Sequence, residues 1–287
     1  MPEVWTSLKL VAWTQDFFAK KAVDAPRLTA ELLLAHALSC DRVRLYLDFE
    51  KPLGEAELAR FRDLVRRRAE GEPTAYLLGR KEFYGRAFGV DARVLVPRPE
   101  TELVLEAALA ALPERGRALD LCTGSGCLGI SLALERPAAR VLATDVSGEA
   151  LAVARENAAA LGAVVDLAQG DLWAAVHAAE PFDVVVSNPP YVPAKELAQL
   201  PREVRREPCI ALDGGEDGLA VLRRIVAGAP ARLRPGGVLC VEMHESHADV
   251  LPRLCLEAGF ERAEARRDLA GLPRFTVACV AGGPSPA

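Results

Sequence analysis

The sequence lacks the features of a secreted, a disulfide-bonded or a membrane-spanning chain. Its seven cysteines are odd in number and scattered, and no C-x-x-C pair occurs among them. No apolar stretch reaches the roughly 18 residues that a membrane-spanning helix needs. Residues 1–6 contain no basic segment ahead of an apolar core, as a signal peptide would. We therefore expect reduced thiols, a cytoplasmic location and no contact with a membrane.

The chain also lacks a net positive charge. The chain carries 35 Lys and Arg against 40 Asp and Glu, a net charge of −5 that argues against a large nucleic-acid footprint. Residues 1–90 are slightly basic, with 15 Lys and Arg against 13 acids, and the remainder carries 20 against 27. Arg66-Arg67-Arg68 is the one dense basic run, and a solvated helix face explains it better than a docking patch. We expect no direct nucleic-acid partner.

What is present is an ordinary globular composition, 51% hydrophobic and 26% charged, with room for about two domains in 287 residues. Residues 4–70 predict helices. Asp24-Ala25-Pro26 indicates a helix start, because proline is favoured in the first turn. The apolar residues expected on one face of this helix are Leu28, Leu32, Ala35 and Leu38. A further helix is predicted at 55–70, and we expect a helical domain over residues 1–75.

Residues 76–96 predict a connection between two domains. Short strands around glycine turns, at 76–79 and 82–90, predict a linking β-hairpin. The next residues, Pro97-Arg98-Pro99, form a stiff segment because proline restricts the backbone. Such a segment can present the Arg98 guanidinium in a set direction.

From residue 115 onward strands alternate with helices, which is typical of a parallel sheet with right-handed crossovers. Strands are predicted at 117–121, 140–144, 164–168, 182–187 and 238–242, with a closing pair at 259–268 and 274–280. Helices are predicted at about 100–112, 128–135, 147–161 and 219–233. The polar segment 193–218 is a long loop, which in a compact domain is usually functional. We expect an α/β domain over 97–281 and a disordered tail at 282–287.

The tetrapeptide Asn188-Pro189-Pro190-Tyr191 follows a strand that is expected to be buried. Two prolines cannot continue a central strand, since each lacks an N–H, so the chain leaves the sheet at Asn188. This is the carboxyl end of a strand, where open α/β sheets bind their ligands. An amide, a rigid turn with free carbonyls and an aromatic ring suit gripping a flat amide or amine. The tetrapeptide alone is equally consistent with a loop that only ends a strand.

A second ligand-binding pattern lies where the first strand of the α/β domain meets its helix. The turn Asp120-Leu121-Cys122-Thr123-Gly124-Ser125-Gly126 combines glycines with a helix N-terminus, so a ligand can approach the backbone. Asp145 follows Gly126 by 19 residues, a distance at which an acid can accept both ribose hydroxyls. The leading acid would repel the diphosphate of NAD, so S-adenosylmethionine (SAM) is favoured over NAD. Asp171 is placed either to meet an adenine edge or to cap the next helix.

These motifs resemble those of known enzymes. The turn at 120–126 and Asp145 resemble motifs of class I SAM-dependent methyltransferases, and the tetrapeptide at 188–191 resembles the signature of enzymes that methylate planar nitrogens. Nearly the whole chain resembles the HemK/PrmC family, through Pro73, Gly79, Phe83, Val90, the run 97–102, Arg206-Glu207-Pro208, Gly214-Gly215 and Asp217-Gly218-Leu219. Members of that family are N5-glutamine methyltransferases that act on the Gly-Gly-Gln loop of class I peptide-chain release factors.

The resemblance implies a class I SAM-dependent methyltransferase fold, which is Rossmann-like with a mostly parallel seven-stranded sheet, after a small helical substrate-docking domain and a linking hairpin. It implies SAM as methyl donor, S-adenosylhomocysteine as product and a release factor as protein substrate, and we expect a monomer. The implied cofactor-binding residues are Asp120, Cys122, Thr123, Gly124, Ser125, Gly126, Asp145, Asp171, Leu172 and Asn188. The implied catalytic residues are Asn188, Pro189 and Tyr191, and Pro190 and Arg98 join them in the substrate site.

Two features depart from the family pattern. Cys122 replaces the glycine that usually opens the cofactor turn, so we expect its backbone to avoid positive φ. His244 and His247 stand where the family commonly has Gly and Gln. With Glu242 and Glu245 they suggest a metal site, but no third well-spaced ligand partner is evident, and we expect no metal.

Two other activities share parts of this pattern. A sister family methylates a glutamine of a large-subunit ribosomal protein and has a turn very similar to 120–127, but it lacks the Arg-Pro-Glu-Thr-Glu run found here at 98–102. That run, with 268–271 and Arg274, favours the release-factor family. A DNA adenine-N6 methyltransferase shares the tetrapeptide, but it must flip a base and would need a basic groove, which the negative net charge disfavours.

Overall fold

The structure is a computed structural model that describes residues 5–176 and 180–282 of the 287-residue chain. It forms two compact units. A helical unit comprises Met1–Arg80 and Arg202–Arg206, and an α/β unit comprises Lys81–Pro201 and Glu207–Ala287. The tail predicted at 282–287 lies outside the described residues, apart from Gly282.

Among the described residues, the helical unit contains five α-helices: α1 (Ser7–Lys20), α2 (Pro26–Ala37), α3 (Arg42–Leu47), α4 (Glu55–Ala69) and α5 (Thr74–Leu78). Pro26 occupies the first turn of α2, so the predicted helix start is confirmed. The strand predicted at 76–79 is wrong, since residues 76–78 lie in α5. Gly79 ends that helix with a φ of 68°, the left-handed conformation typical of a helix C-terminus.

The apolar face predicted for α2 is only partly correct, since Ala35 is buried and Leu38 packs against the core of the helical unit but Leu28 does not. Leu28 is 41% exposed, whereas the buried apolar residues of this helix are Ala30, Leu33, Leu34, Ala35 and Ala37. The helix carries apolar residues on more than one side. Apolar spacing alone therefore cannot select the side that packs into the core, and neighbouring helices decide it.

The basic run in α4 is not a uniformly solvated face. Arg66 is exposed and pairs with Glu70, as that prediction requires, but Arg68 is only 5% exposed. Its Nη2 donates to Glu203 Oε2 (2.5 Å), and its Nε has no partner among the described residues. The prediction is wrong for Arg68 because its long side chain reaches the segment Arg202–Arg206, which packs within this unit.

A two-stranded hairpin, β1 (Arg80–Phe83) and β2 (Arg86–Gly89), precedes the main sheet. The main sheet contains β3 (Arg117–Leu121), β4 (Arg140–Asp145), β5 (Asp166–Gln169), β6 (Phe182–Ser187), β7 (Leu233–Glu242), β8 (Arg262–Arg267) and β9 (Pro273–Cys279). Their spatial order is β5-β4-β3-β6-β7-β9-β8. Strand β9 runs antiparallel to both of its neighbours, β7 and β8, and the other neighbouring strands pair in parallel. The predicted α/β fold with a mostly parallel seven-stranded sheet is confirmed.

Helices cover both faces of this sheet: α6 (Thr101–Ala111), α7 (Cys127–Glu135), α8 (Gly148–Leu161), α9 (Ala220–Gly228) and α10 (Val250–Glu257). The helix predicted at 219–233 is too long, since α9 ends at Gly228 ahead of Pro230 and β7 begins at Leu233. The predicted loop at 193–218 contains three short 3-10 helices. No helix in the described part of the chain is long and apolar enough to cross a membrane.

Candidate active site

The site lies at the topological switch point of the sheet. From β3 the chain proceeds to β4 and β5 on one side, whereas β6 and β7 lie on the other, so the crevice opens between the carboxyl ends of β3 and β6. Leu121 is paired with Ser187, whose Oγ donates to the Leu121 carbonyl (2.7 Å). The two predicted motifs, which follow these residues directly, therefore start side by side.

A cavity of about 430 Å³ occupies this crevice. Its wall includes most of the cofactor residues expected from the sequence: Asp120, Cys122, Thr123, Gly124, Ser125, Asp145, Asp171, Leu172 and Asn188. Pro190 also lines it. Gly126, Pro189, Tyr191 and Arg98 do not belong to the lining. Every lining residue comes from the α/β unit.

Asp120 is fully buried at the cavity wall. Its Oδ2 accepts hydrogen bonds from Thr123 Oγ1 (2.5 Å) and from the Gly129 N–H (2.9 Å), whereas its Oδ1 has no partner among the described residues. Burial raises the pKa of Asp120 to about 7, and the negative charge of Asp145 adds to the shift. A buried carboxylate oxygen without a partner fits a ligand ammonium, so this end of the cavity suits the amino-acid part of SAM.

The expectation that Cys122 avoids positive φ is wrong. Its φ is 58°, in the left-handed region that non-glycine residues rarely adopt. Gly124 and Gly126 also have positive φ, and the Thr123 N–H donates to the Thr144 carbonyl (2.9 Å). Cys122 adopts the left-handed backbone conformation although it is not glycine, because the preceding strand and the following helix determine the path of the turn. Strain of this kind is concentrated at functional sites.

Asp145 ends β4 and binds the neighbouring turns through both carboxylate oxygens. Oδ2 accepts from the Gly124 N–H and Oδ1 from the Ser147 N–H, each at 2.9 Å. Burial raises the pKa of Asp145, while these backbone donors oppose the shift. Each oxygen retains a second lone pair, so a vicinal diol can still be accepted.

Asp171 occupies the start of a 3-10 helix, Leu172–Ala175, but its side chain makes no capping bond to that helix. Oδ2 instead accepts from Arg224 Nη2 (2.7 Å) on α9, and both residues line the cavity. The sequence left two roles for Asp171, a contact with adenine or a cap on the next helix. A cap formed by its side chain is wrong. Leu172 follows with a φ of 51° and is buried at the cavity wall.

Asn188 and Tyr191 are joined by a buried hydrogen-bond network. Asn188 Nδ2 donates to Thr101 Oγ1 (3.1 Å), and Thr101 Oγ1 donates to Glu242 Oε2 (2.5 Å). Tyr191 OH donates to the other oxygen, Glu242 Oε1 (2.9 Å). Burial raises the pKa of Glu242, and burial with the nearby carboxylate raises the pKa of Tyr191. The side chains of Asn188 and Tyr191 are thus both anchored on the Glu242 carboxylate, Tyr191 directly and Asn188 through Thr101.

Comparisons with known proteins identify the family. Residues 9–79 match the family described as PrmC N-terminal domain, and residues 99–202 match Methyltransferase small domain. The release factor glutamine methyltransferase of Geobacter sulfurreducens is 44% identical over 95% of this chain and 96% of its own length. The enzyme of the same name from Chlorobaculum tepidum is 46% identical over 98% and 100%. This chain belongs to the release factor glutamine methyltransferase family.

Solved structures support the fold of this family member. A methyltransferase from Pyrococcus furiosus superposes with a TM-score of 0.54 at 22% identity, covering 70% of this chain and 92% of its own. The catalytic domain of human Mettl16 superposes with a TM-score of 0.56 at 16% identity, covering 78% and 84%. Identities this low carry the methyltransferase fold and nothing finer.

Arg98, expected in the substrate site, forms an ion pair with Glu207. Its Nη2 donates to Glu207 Oε1 (2.6 Å), and Glu207 Oε2 accepts from the Val96 N–H (2.9 Å). The Glu207 side chain is only 1% exposed, so the pair ties the stiff segment before α6 to the loop after the tetrapeptide. Arg98 itself does not line the cavity.

Thr101 and Glu242 are site residues that were not predicted from the sequence. Thr101 lies in the run 97–102, on which the family resemblance rests, but no role in the site was predicted for it. Glu242 was named only as a possible metal ligand beside His244 and His247. His247 Nε2 instead lies 3.0 Å from the Asp217 carbonyl, and His244 Nδ1 lies 2.8 Å from Ser246 Oγ. A buried polar residue at a strand end or a helix start was the available signal, but burial is not visible in one sequence.

Proposed function

We propose that this protein transfers a methyl group from SAM to the side-chain amide nitrogen, N5, of the glutamine in the Gly-Gly-Gln motif of class I release factors. The observation that carries the proposal is the register of β3 against β6, which brings the cofactor turn and Asn188 into one cavity. The names and close identity of the curated relatives support the choice of substrate.

The cavity residues divide the work of holding SAM. Asp120 binds the ammonium, Asp145 accepts the ribose hydroxyls, and Asp171 with Leu172 faces the adenine. The backbone of the turn 122–126 would be approached by the amino-acid part of SAM. When bound, SAM supplies a methyl group that is already activated by its attachment to a sulfonium.

The protein contributes mainly by positioning the glutamine amide. An amide nitrogen is a poor nucleophile because its lone pair is delocalised into the carbonyl. Asn188 Oδ1 accepts one N–H of that amide and the Pro189 carbonyl accepts the other, while Tyr191 packs against the amide plane. Both acceptors stabilise positive charge as it develops on the nitrogen, and orientation of this kind contributes about 7–11 kcal/mol in favourable cases. The nitrogen afterwards loses its proton to water, so no general base is needed.

The rest of the chain selects the partner. We assign residues 1–75 to release-factor docking and 97–281 to catalysis, with the linking hairpin of β1 and β2 inside the intervening segment 76–96. The net charge of −5 supports a protein substrate rather than a nucleic acid. We further propose that the enzyme is a cytoplasmic monomer.

The experiment compares Asn188→Ala with Asp145→Ala in methyl transfer to a release factor, with SAM binding measured by calorimetry. Asn188→Ala should lower kcat by about 100-fold or more while the SAM Kd changes little, because an acceptor for the reacting amide is lost. Asp145→Ala should raise the SAM Kd instead. Turnover of Asn188→Ala near that of the wild type would contradict the proposal.

A further inference from the structure

A chain of four buried or half-buried groups connects three separate parts of the α/β unit. Thr101 begins α6, Glu242 ends β7, and Asn188 and Tyr191 belong to the tetrapeptide after β6. Thr101 is 1% exposed and Glu242 is 3% exposed, so water does not compete for their hydrogen bonds. Nothing in the chemistry of methyl transfer described above uses either residue directly.

With Glu242 ionised, the donors and acceptors of these four groups can be assigned in one direction only. A threonine hydroxyl has a single proton, and an ionised carboxylate can only accept. The 2.5 Å separation of Thr101 Oγ1 from Glu242 Oε2 is in the range of a charge-assisted bond, so the threonine proton points to the carboxylate. Thr101 Oγ1 can therefore only accept from Asn188, so the amide must donate through its Nδ2 (3.1 Å).

This assignment determines how the amide of Asn188 faces the cavity. With Nδ2 bound to Thr101, Oδ1 is the amide atom that remains for a ligand, because Asn188 is part of the cavity wall. A flipped amide would present N–H groups to the substrate amide, which also carries N–H groups. Two donors facing each other repel, so only the observed orientation can grip a glutamine side chain.

We propose that Glu242 and Thr101 are positioning residues that set the donor–acceptor sense of the Asn188 amide, so that its oxygen faces the substrate amide. The inference rests on the proposed function for its consequence in catalysis. Glu242 also holds Tyr191 through its second oxygen, which keeps the aromatic ring of the tetrapeptide in a fixed place (2.9 Å).

Two substitutions disturb the direction of these hydrogen bonds in different ways. In Glu242→Gln the new amide can donate to Thr101, which frees the threonine proton to point at Asn188 and favours the flipped amide. Thr101→Val keeps the shape of the side chain but removes the hydroxyl, whereas Thr101→Ser retains it. Ser131→Ala is a matched control, because Ser131 is fully buried on α7 and its hydroxyl has no partner among the described residues.

The first measurement is kinetic, with the full chain, SAM and a release factor. We expect kcat to fall about 10- to 100-fold in Glu242→Gln and Thr101→Val, because a misdirected group near the reacting atom costs about that much. The SAM Kd should stay within about two-fold, Thr101→Ser should recover most of the lost kcat, and Ser131→Ala should match the wild type. Wild-type kcat in Thr101→Val, or equal losses in the Val and Ser variants, would overturn the inference.

The second measurement does not depend on activity. The chain contains two asparagines, Asn157 and Asn188, so selective ¹⁵N-asparagine labelling gives two side-chain amide signals. Asn157 Nδ2 donates to the carbonyls of Gly89 (3.0 Å) and Ser125 (2.8 Å) and serves as an internal control. In Thr101→Val and Glu242→Gln we expect the Asn188 pair to shift and exchange faster with water, while the Asn157 pair stays in place.

The two measurements separate the possible failures. An Asn188 signal unchanged in Thr101→Val would overturn the inference whatever the activity. A wild type that shows the expected signals but does not methylate the release factor would instead contradict the proposed function.

Discussion

The pH dependence of SAM binding follows from the burial of Asp120. In the free protein the pKa of this carboxyl is raised to about 7, and one of its oxygens has no partner among the described residues. An ammonium binds the ionised form, so SAM affinity should rise with pH until Asp120 is ionised. The perturbation is therefore a change of pH from 7 to 5.5, a range in which an α-ammonium, with a pKa of about 8, stays charged.

The magnitude follows from the ionised fraction of Asp120. With a pKa of about 7, half of the protein is ionised at pH 7 and about one eleventh at pH 6. The Kd for SAM should therefore rise about five-fold between pH 7 and pH 6 and about 16-fold by pH 5.5. SAM affinity falls as the pH falls, because the pKa of Asp120 is raised in the free protein and is lowered by the bound ammonium in the complex.

Isothermal titration calorimetry at pH 5.5, 6.0, 6.5 and 7.0 measures these constants directly. Asp120→Asn is the matched variant, because asparagine can still accept from Thr123 and Gly129 but does not ionise. Its Kd should be higher at pH 7 and should change much less with pH than that of the wild type. A flat profile in the wild type, or the same slope in Asp120→Asn, would refute the assignment of the ammonium to Asp120.

The remaining predictions concern stability, measured by urea unfolding. Cys122→Val should lower the free energy of unfolding by about 1–2 kcal/mol more than Cys122→Gly does, because a β-branched side chain is strained at a φ of 58°. Glu203→Ala should destabilise by about 2–4 kcal/mol and Arg68→Met by less. The first leaves a charge at 5% exposure without its carboxylate, whereas the second leaves a carboxylate at 33% exposure that water can reach.

Either order reversed would contradict the corresponding argument. If Val and Gly at position 122 gave equal stability, the turn would have relaxed and the left-handed conformation would carry no strain. If Arg68→Met cost more than Glu203→Ala, packing of the arginine side chain rather than its charge would dominate. Far-UV circular dichroism of each variant controls for loss of the fold.

Local patterns in the sequence were sufficient for the α/β core. The bounds predicted for β3 and β6 agree with the structure, because both strands are short apolar runs bounded by turn residues. The cavity also follows from local motifs, since the carboxyl ends of adjacent parallel strands must meet at one edge. The face of α2 could not be predicted in the same way, because several of its sides are apolar.

The interactions behind the cavity wall were out of reach for a physical reason. Thr101 and Glu242 are separated by 141 positions, and Arg98 and Glu207 by 109. Their pairing depends on how α6 and the loop after β6 pack on the sheet, which no local pattern encodes. The conformation of Cys122 is similar, since its φ is imposed by the surrounding turn against the preference of the residue.

The most direct test of the account is to map where the methyl group goes. The protein is incubated with isotopically labelled SAM and, in parallel, with class I release factors, large-subunit ribosomal proteins and DNA, and modified residues are located by mass spectrometry. We expect a single methyl on the side-chain amide of the Gly-Gly-Gln glutamine of a release factor, formed about 100-fold or more slowly with Asn188→Ala. Label on a ribosomal protein or on DNA, with the release factor unmodified, would contradict it.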